Sequence, residues 1–311
     1  MDKLKKALPL ILQAALCCLL WATAIPTLKI SYSLLNIAKT DIFNRLVLAG
    51  MRFLIAGILI GIYLYIVNKE ITIVKGKQWK TVIIFGLLNT TIQYLFFYIG
   101  VANTGAIKGV LIDTSKPLMI FVLAHFMTSN EKMSVAKIAG LTMGIIGIII
   151  ANFEDVVNGG LDFHVTFLGE GFLIIASLSY AFAALYGKKA MKIIPSIVLN
   201  MHQFIIGSIL LLSIGLIGAK GYHLNFTGNA VLLLLYSSIL SAVAFVVWYQ
   251  LIHKYGASSV SIYIFLIPVF GSIISSIIFP DEQFSINILI SLILMSVGVY
   301  LVNRQKSSAG C

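Results

Sequence analysis

Residues 105–152 read GAIKGVLIDTSKPLMIFVLAHFMTSNEKMSVAKIAGLTMGIIGIIIAN, and residues 256–303 read GASSVSIYIFLIPVFGSIISSIIFPDEQFSINILISLILMSVGVYLVN. Laid over each other at an offset of 151, they align Gly105-Ala106 with Gly256-Ala257, Pro117 with Pro268 and Glu131 with Glu282. Ser134 meets Ser285, Leu141 meets Leu292, Gly147 meets Gly298 and Asn152 meets Asn303. Carried back to Tyr98, which meets Tyr249, the frame holds nine identities in 55 positions. Residue type weighs more than that count, because the whole chain has six prolines and two of them coincide here. The same offset pairs Arg52-Phe53 with Gln203-Phe204. The first apolar segment needs an offset of 159, which pairs Trp21-Ala22 with Tyr180-Ala181 and Lys29 with Lys188. The chain therefore reads as a duplication, residues 1–155 repeated by residues 156–311.

Composition places both halves in a membrane. Of 311 residues, 59% are apolar and 11% charged, against about 45–50% and about 25% in soluble domains. This excludes a water-soluble enzyme, a disordered tail and a nucleic-acid binder. The net charge of +11 comes from lysines set between long apolar runs, which is a topology signal. Three cysteines, two of them the adjacent Cys17 and Cys18, build no disulfide framework. The runs are about 18–25 residues long, the length that crosses a bilayer as a helix. Ten are read: 8–30, 45–67, 79–101, 105–127, 135–152, 168–188, 194–217, 229–251, 256–279 and 284–303. The fold class is all-α integral membrane, with ten transmembrane helices in two inverted five-helix repeats. No room is left for an extramembrane catalytic domain. Lys3, Lys5, Lys6 and Ala22-Thr23-Ala24 resemble a cleavable leader. The apolar run continues to Ile30 and has a later counterpart, so it reads as a retained span.

Orientation follows from the flanking cations. With a cytoplasmic N-terminus, fifteen Lys and Arg residues flank the inner side, and Lys29, Lys39, Arg45 and Lys220 flank the outer. Both termini are then cytoplasmic, which localises the chain to a plasma or inner membrane. Five helices per half is an odd number, so the second half inserts upside down. Inverted repeats give two similar halves that rock around a midplane site.

The layout resembles the drug/metabolite transporter superfamily, in its ten-helix EamA branch. The resemblance rests on Leu19-Leu20-Trp21-Ala22, on Arg52-Phe53 with Ala56-Gly57, and on Pro117 and Pro268. It continues through Asn130-Glu131-Lys132 with Gly140, Gly144 and Gly147, and through Asp281-Glu282-Gln283 with Gly298. The chain departs from the family in Trp-Ala where Trp-Gly is frequent, and in lacking a second-half match to Gly140. The resemblance implies movement of small metabolites, often amino acids, without ATP. It implies no cofactor and fixes no substrate.

Charges within a span are expensive and usually functional. Asp113 and Lys116 lie three residues apart on one face of the fourth segment. Two uses fit: a neutralising pair within the helix, and a site where Lys116 meets a carboxylate and Asp113 an ammonium. Lys108 reads as an outer, snorkelling residue. Pro117 frees the carbonyl of Asp113 and Pro268 that of Ile264, so both are expected as helix kinks beside a central cavity. Gln93 and Tyr94, from the polar run Asn89-Thr90-Thr91-Ile92-Gln93-Tyr94, are expected to line it. So are Trp21 and Tyr180, aromatics related by the repeat. Arg52 has three fits: snorkelling outward, pairing with Asp41, and lining the outer vestibule. Asn89, Gln203 and Tyr263 are further candidates. Tyr236 and Ser241 are weaker, and Trp248 and Tyr249 suit an interfacial belt. Glu131 and Glu282 read as loop anchors. The five histidines, at 125, 164, 202, 223 and 253, have no metal-ligand spacing, so no metal is expected. Gly140, Gly144 and Gly147 suit close packing within the monomer or in a homodimer. An intramembrane enzyme would cluster catalytic residues at one face, and a channel would repeat a polar ring. A transporter of small solutes, amino acids and related zwitterions first, fits better. Drugs, nucleosides and carboxylates are the alternative cargoes.

Overall fold

The computed structural model describes residues 2–38, 40–69, 73–104, 109, 112–113, 115–128, 134–151, 166–219, 224, 226–278 and 286–304. Among these, every regular element is helical. In chain order they are α1 (Asp2–Leu34), α2 (Ile42–Asn68), α3 (Gln78–Ala102), α4 (Lys116–Met127) and α5 (Val135–Ala151). Then come α6 (Phe167–Ala190), α7 (Ser196–Gly218), α8 (Gly228–Tyr255), α9 (Ala257–Ile278) and α10 (Ile286–Arg304). Seven of them, α1, α2, α3, α6, α7, α8 and α9, are long and apolar enough to cross a membrane. The outward faces stay apolar, as with Ile58, Ile62 and Ile66 of α2, all exposed. Such a surface suits lipid and would aggregate in water.

The main packing pairs are α2 with α7, α5 with α10, α4 with α9, α1 with α8 and α9, α6 with α3 and α4, α2 with α8, and α7 with α3. Within this set each pair has a counterpart five helices on, whereas the contacts of α9 with α10 and of α6 with α8 fall outside it. Side chains follow the same rule at the centre. Phe53 of α2 stacks on Phe204 of α7, its partner at offset 151, with ring centroids 5.3 Å apart and an interplanar angle of 14°. Tyr94 packs on Phe53 at 4.6 Å, and its repeat partner Phe245 packs on Phe204 at 5.2 Å.

Without a hydrophobic drive between helices inside lipid, close backbone approach decides which helices pair. A Cβ on Gly215 of α7 would lie 2.9 Å from the Val47 nitrogen of α2. One on Gly298 of α10 would lie 2.7 Å from the Gly140 oxygen of α5. The small residues of α5 thus serve packing within the chain. On α1, Ala14, Cys17, Cys18 and Ala22 form a buried small-residue stripe. Their side is held by Cys18 Sγ donating to the Tyr263 carbonyl at 3.1 Å and Cys17 Sγ to the Ala244 carbonyl at 3.6 Å.

Both prolines sit where a helix restarts, and neither is a kink within a continuous helix. Pro117 is the second residue of α4, after a turn at Ser115 whose hydroxyl donates to the Ile112 carbonyl at 2.6 Å. Pro268 follows a 3₁₀ turn, Ile262–Phe265, within α9. A missing N–H costs nothing in a first helical turn, so the break settles just before each proline. Gly256 alone joins α8 to α9, with φ +92°. That conformation is easy for glycine and strained for other residues.

Candidate functional site

Lys116, at the restart of α4, forms an ion pair with Asp113. Its Nζ lies 5.5 Å from the ring centroid of Phe97 on α3 and 5.6 Å from that of Tyr180 on α6. An ammonium between two ring faces gains from both π-systems. The Lys116 and Asp113 side chains remain 13% and 29% accessible. Tyr94 extends the group: its ring lies 6.5 Å from Phe97 and 4.6 Å from Phe53. Gln93 is one turn from Phe97 on the same face of α3; it is 5% exposed and its Oε1 has no hydrogen-bond partner.

Trp21 meets Trp248 edge to face at 4.9 Å and Phe245 at 5.2 Å. Trp21 Nε1 is buried with no partner. By sequence, Trp21 corresponds to Tyr180 and Trp248 to Phe97, so each pair takes one ring from each half of the chain. In the Trp21–Trp248 pair the rings touch directly. In the Tyr180–Phe97 pair Lys116 stands near both rings, at the position that matches the apolar Ile267.

Asn89 and Gln203 belong to a different construction. Within α3 a π-helical stretch, Leu87–Ile92, turns Asn89, Thr90 and Thr91 into the interior together. Tyr249 donates to Asn89 Oδ1 at 2.7 Å, and Asn89 Nδ2 donates to Gln203 Oε1 at 2.8 Å. Gln203 Nε2 donates to Asn200 Oδ1 at 2.7 Å, and Asn200 donates to the Ser196 carbonyl at 2.8 Å. This connected, buried chain clasps α3, α7 and α8 together. Tyr249 and Trp248 are fully buried, which corrects their expected place in an interfacial belt: one is tied to Asn89 and the other to aromatic neighbours.

Arg52 also departs from two of its expected fits. It is buried at 5% exposure, so it does not snorkel. Asp41 is occupied as the cap of α2, accepting from the Asn44 backbone at 3.1 Å and from its Nδ2 at 2.7 Å. Arg52 Nε instead donates to Ser241 Oγ at 2.7 Å and to the Ser237 carbonyl at 3.2 Å. The repeat equivalent of this bond is Thr90 donating to Gln203 Oε1 at 3.3 Å, since Arg52 matches Gln203 and Thr90 matches Ser241. Tyr263 is buried in the turn of α9, and the Tyr236 hydroxyl bonds Thr23 Oγ1 at 2.8 Å. Lys108, Glu131, Glu282, His164 and His223 lie outside the described residues. Among the described residues, no His, Cys, Asp and Glu group has the makings of a metal site.

The sequence does not single out Phe97 or Glu170, and it marks Ser241 only as a weaker candidate. Phe97 carried a signal, being the repeat partner of Trp248. So did Ser241 as the anchor of Arg52, through its match to Thr90. Glu170 is a capping residue. Its carboxylate accepts from the Thr166 N–H at 2.8 Å, while Thr166 Oγ1 accepts from Gly169 N at 3.1 Å. The usual capping box spans three residues; here a π-helical first turn makes it four.

A model of the EamA-like transporter family matches residues 8–153 and again residues 167–304. An uncharacterized transporter of Bacillus subtilis, YoaV, is 28% identical over 257 residues, 82% of this chain and 86% of that protein. A WAT1-related chloroplastic protein of Arabidopsis thaliana is 28% identical over 294 residues, covering 93% and 68%. An uncharacterized transporter of Archaeoglobus fulgidus is 27% identical over 296 residues, covering 94% and 96%. A crystal structure with 16% identity superposes with a TM-score of 0.74 over 94% of this chain and 98% of its own, a likeness of fold. With seven apolar helices long enough to span a membrane and family matches over residues 8–153 and 167–304, the chain belongs to the EamA-like transporter family and is a multi-pass membrane transporter.

Proposed function

We propose that the chain is a secondary, ATP-independent transporter of amino acids or related zwitterions, working by alternating access around the space beside Lys116 and Asp113. The observation that carries this reading is the accessible ion pair held between Phe97 and Tyr180. A charge pair costs free energy within a bilayer. A zwitterion replaces its internal partners with matched ones, carboxylate to Lys116 and ammonium to Asp113. Trp21, Tyr94, Tyr180 and Gln93 supply the walls.

The proposed scaffold is ten transmembrane helices in two inverted five-helix repeats, divided as residues 1–155 and 156–311. The exchangeable helix pairs support it, as do the stacked Phe53 and Phe204 and the equivalent bonds of Arg52 and Gln203. Cations at the cytoplasmic flanks support cytoplasmic termini in a plasma or inner membrane. The functional unit is a monomer or homodimer that acts without a cofactor and is not an enzyme. The charge pair is present in one half only, which argues against a symmetric pore.

A competition screen in proteoliposomes tests the substrate class. Neutral amino acids are expected to inhibit exchange of a labelled amino acid with micromolar to millimolar half-effects. Inhibition only by uncharged drugs or nucleosides would overturn the reading.

A further inference from the structure

Arg52 has more donors than its neighbours use. It lies about 15 Å along α2 from Ile42, at 1.5 Å per residue, and is 5% exposed. Nε is taken by Ser237 and Ser241, and the guanidinium carbon sits 5.3 Å from the Phe53 centroid. The two terminal nitrogens make no hydrogen bond, and no acid among the described residues pairs with them. Asp41 is committed to Asn44 and Asp113 to Lys116. A guanidinium cannot shed its proton to escape burial.

The same side chain connects to the Lys116 group through packed rings. Phe53, beneath its guanidinium, packs on Tyr94 at 4.6 Å, and Tyr94 lies 6.5 Å from Phe97, the ring beside Lys116. Among the described residues, the seam from Arg52 past Tyr94 to Lys116 thus holds two cations and one anion. Beside it, the buried Gln93 Oε1 lacks a donor. The terminal nitrogens of Arg52 are free to take an anionic oxygen, and the buried Gln93 Oε1 is free to take an N–H.

We propose that Arg52 is a second carboxylate subsite of the same cavity, so that the full occupant carries one more negative charge than positive. An amino dicarboxylate fits in one piece: one carboxylate on Lys116, the ammonium between Asp113 and Gln93 Oε1, the other carboxylate on Arg52. A neutral amino acid with a separate carboxylate ion offers the same chemistry in two pieces. This rests on the zwitterion reading above and narrows it.

Thermal stability of the full chain in detergent tests the subsite, with L-glutamate, L-alanine, and L-alanine plus acetate as probes at fixed ionic strength. Glutamate is expected to stabilise the protein with a half-effect at least tenfold lower than alanine. Arg52→Gln should narrow that ratio to within threefold. Ser241→Ala removes the anchor and keeps the charge, so it should preserve the ratio. Should Arg52→Gln not fold, Arg52→Lys should keep the preference for glutamate. If alanine plus acetate reproduces the glutamate effect, and Arg52→Gln abolishes it, the subsite stands with a separate ion as its source. Equal stabilisation by glutamate and alanine in the unaltered chain overturns the subsite and leaves the Lys116 reading intact. Stabilisation by neither overturns the zwitterion reading itself.

Discussion

Lys116 keeps its charge inside the bundle through an acid and two ring faces, and each contribution is separable. A cation–π contact is worth about 0.5–2 kcal/mol, or roughly two- to thirtyfold in affinity. Tyr180→Phe retains the ring, so the half-saturation of exchange should stay within about threefold of the original. Tyr180→Leu should raise it by roughly two- to thirtyfold, read from concentration dependence in proteoliposomes. The polar clasp differs in kind. Asn89→Ala leaves the buried Tyr249 hydroxyl and Gln203 oxygen short of partners, a loss of about 1–3 kcal/mol. Its melting temperature in detergent should fall, and adding Tyr249→Phe should restore part of it. The sequence exposed Lys116 and Asp113 because charge is rare in a span. It favoured Gln93 over Asn89 without a contact to justify the order. Both are buried polar residues on α3, and only the facing side chains decide that Asn89 is satisfied while Gln93 Oε1 is not.

Helix pairing depends on where backbones meet. Gly215→Val would force a side chain against the Val47 backbone, where the added Cβ already lies 2.9 Å away. Overpacking of this type costs about 1–3 kcal/mol, and the variant should melt earlier. Gly228→Ala is the matched control, since nothing lies within 4 Å of its added Cβ. It should melt at or slightly above the temperature of the unaltered chain, because alanine is the better helix former. At this scale the sequence was largely readable. Seven of the ten expected spans are matched by helices long and apolar enough to cross a membrane, while the described helix of the expected span 105–127 starts at Lys116. The sequence did not tell a kink from a restart, since a proline lacks its N–H in either setting and the preceding turn decides.

On the proposed scaffold, two similar halves surround a charge pair that only one half supplies. The sequence argues for the repeat through Pro117 with Pro268 and Arg52-Phe53 with Gln203-Phe204. The geometry adds that Phe53 stacks on its own repeat partner. Orientation is open to a direct test. In a Cys311→Ser background, Lys75→Cys should resist an impermeant thiol reagent applied outside intact cells and react in inside-out vesicles. Cys17 and Cys18 are buried, so they should contribute little background. External labelling at position 75 would reverse the proposed topology. The central claim is that Lys116 and Asp113 bind solute as well as each other. Removing one member of a buried pair is costly and removing both is not, so stability and transport separate. Lys116→Ala should lower both the melting temperature in detergent and amino-acid exchange in proteoliposomes. The decisive measurement is exchange by the double variant Lys116→Leu, Asp113→Asn, once its melting temperature is shown to have recovered. The account predicts exchange at least tenfold below that of the unaltered chain; undiminished exchange would contradict it and leave the pair a purely structural role.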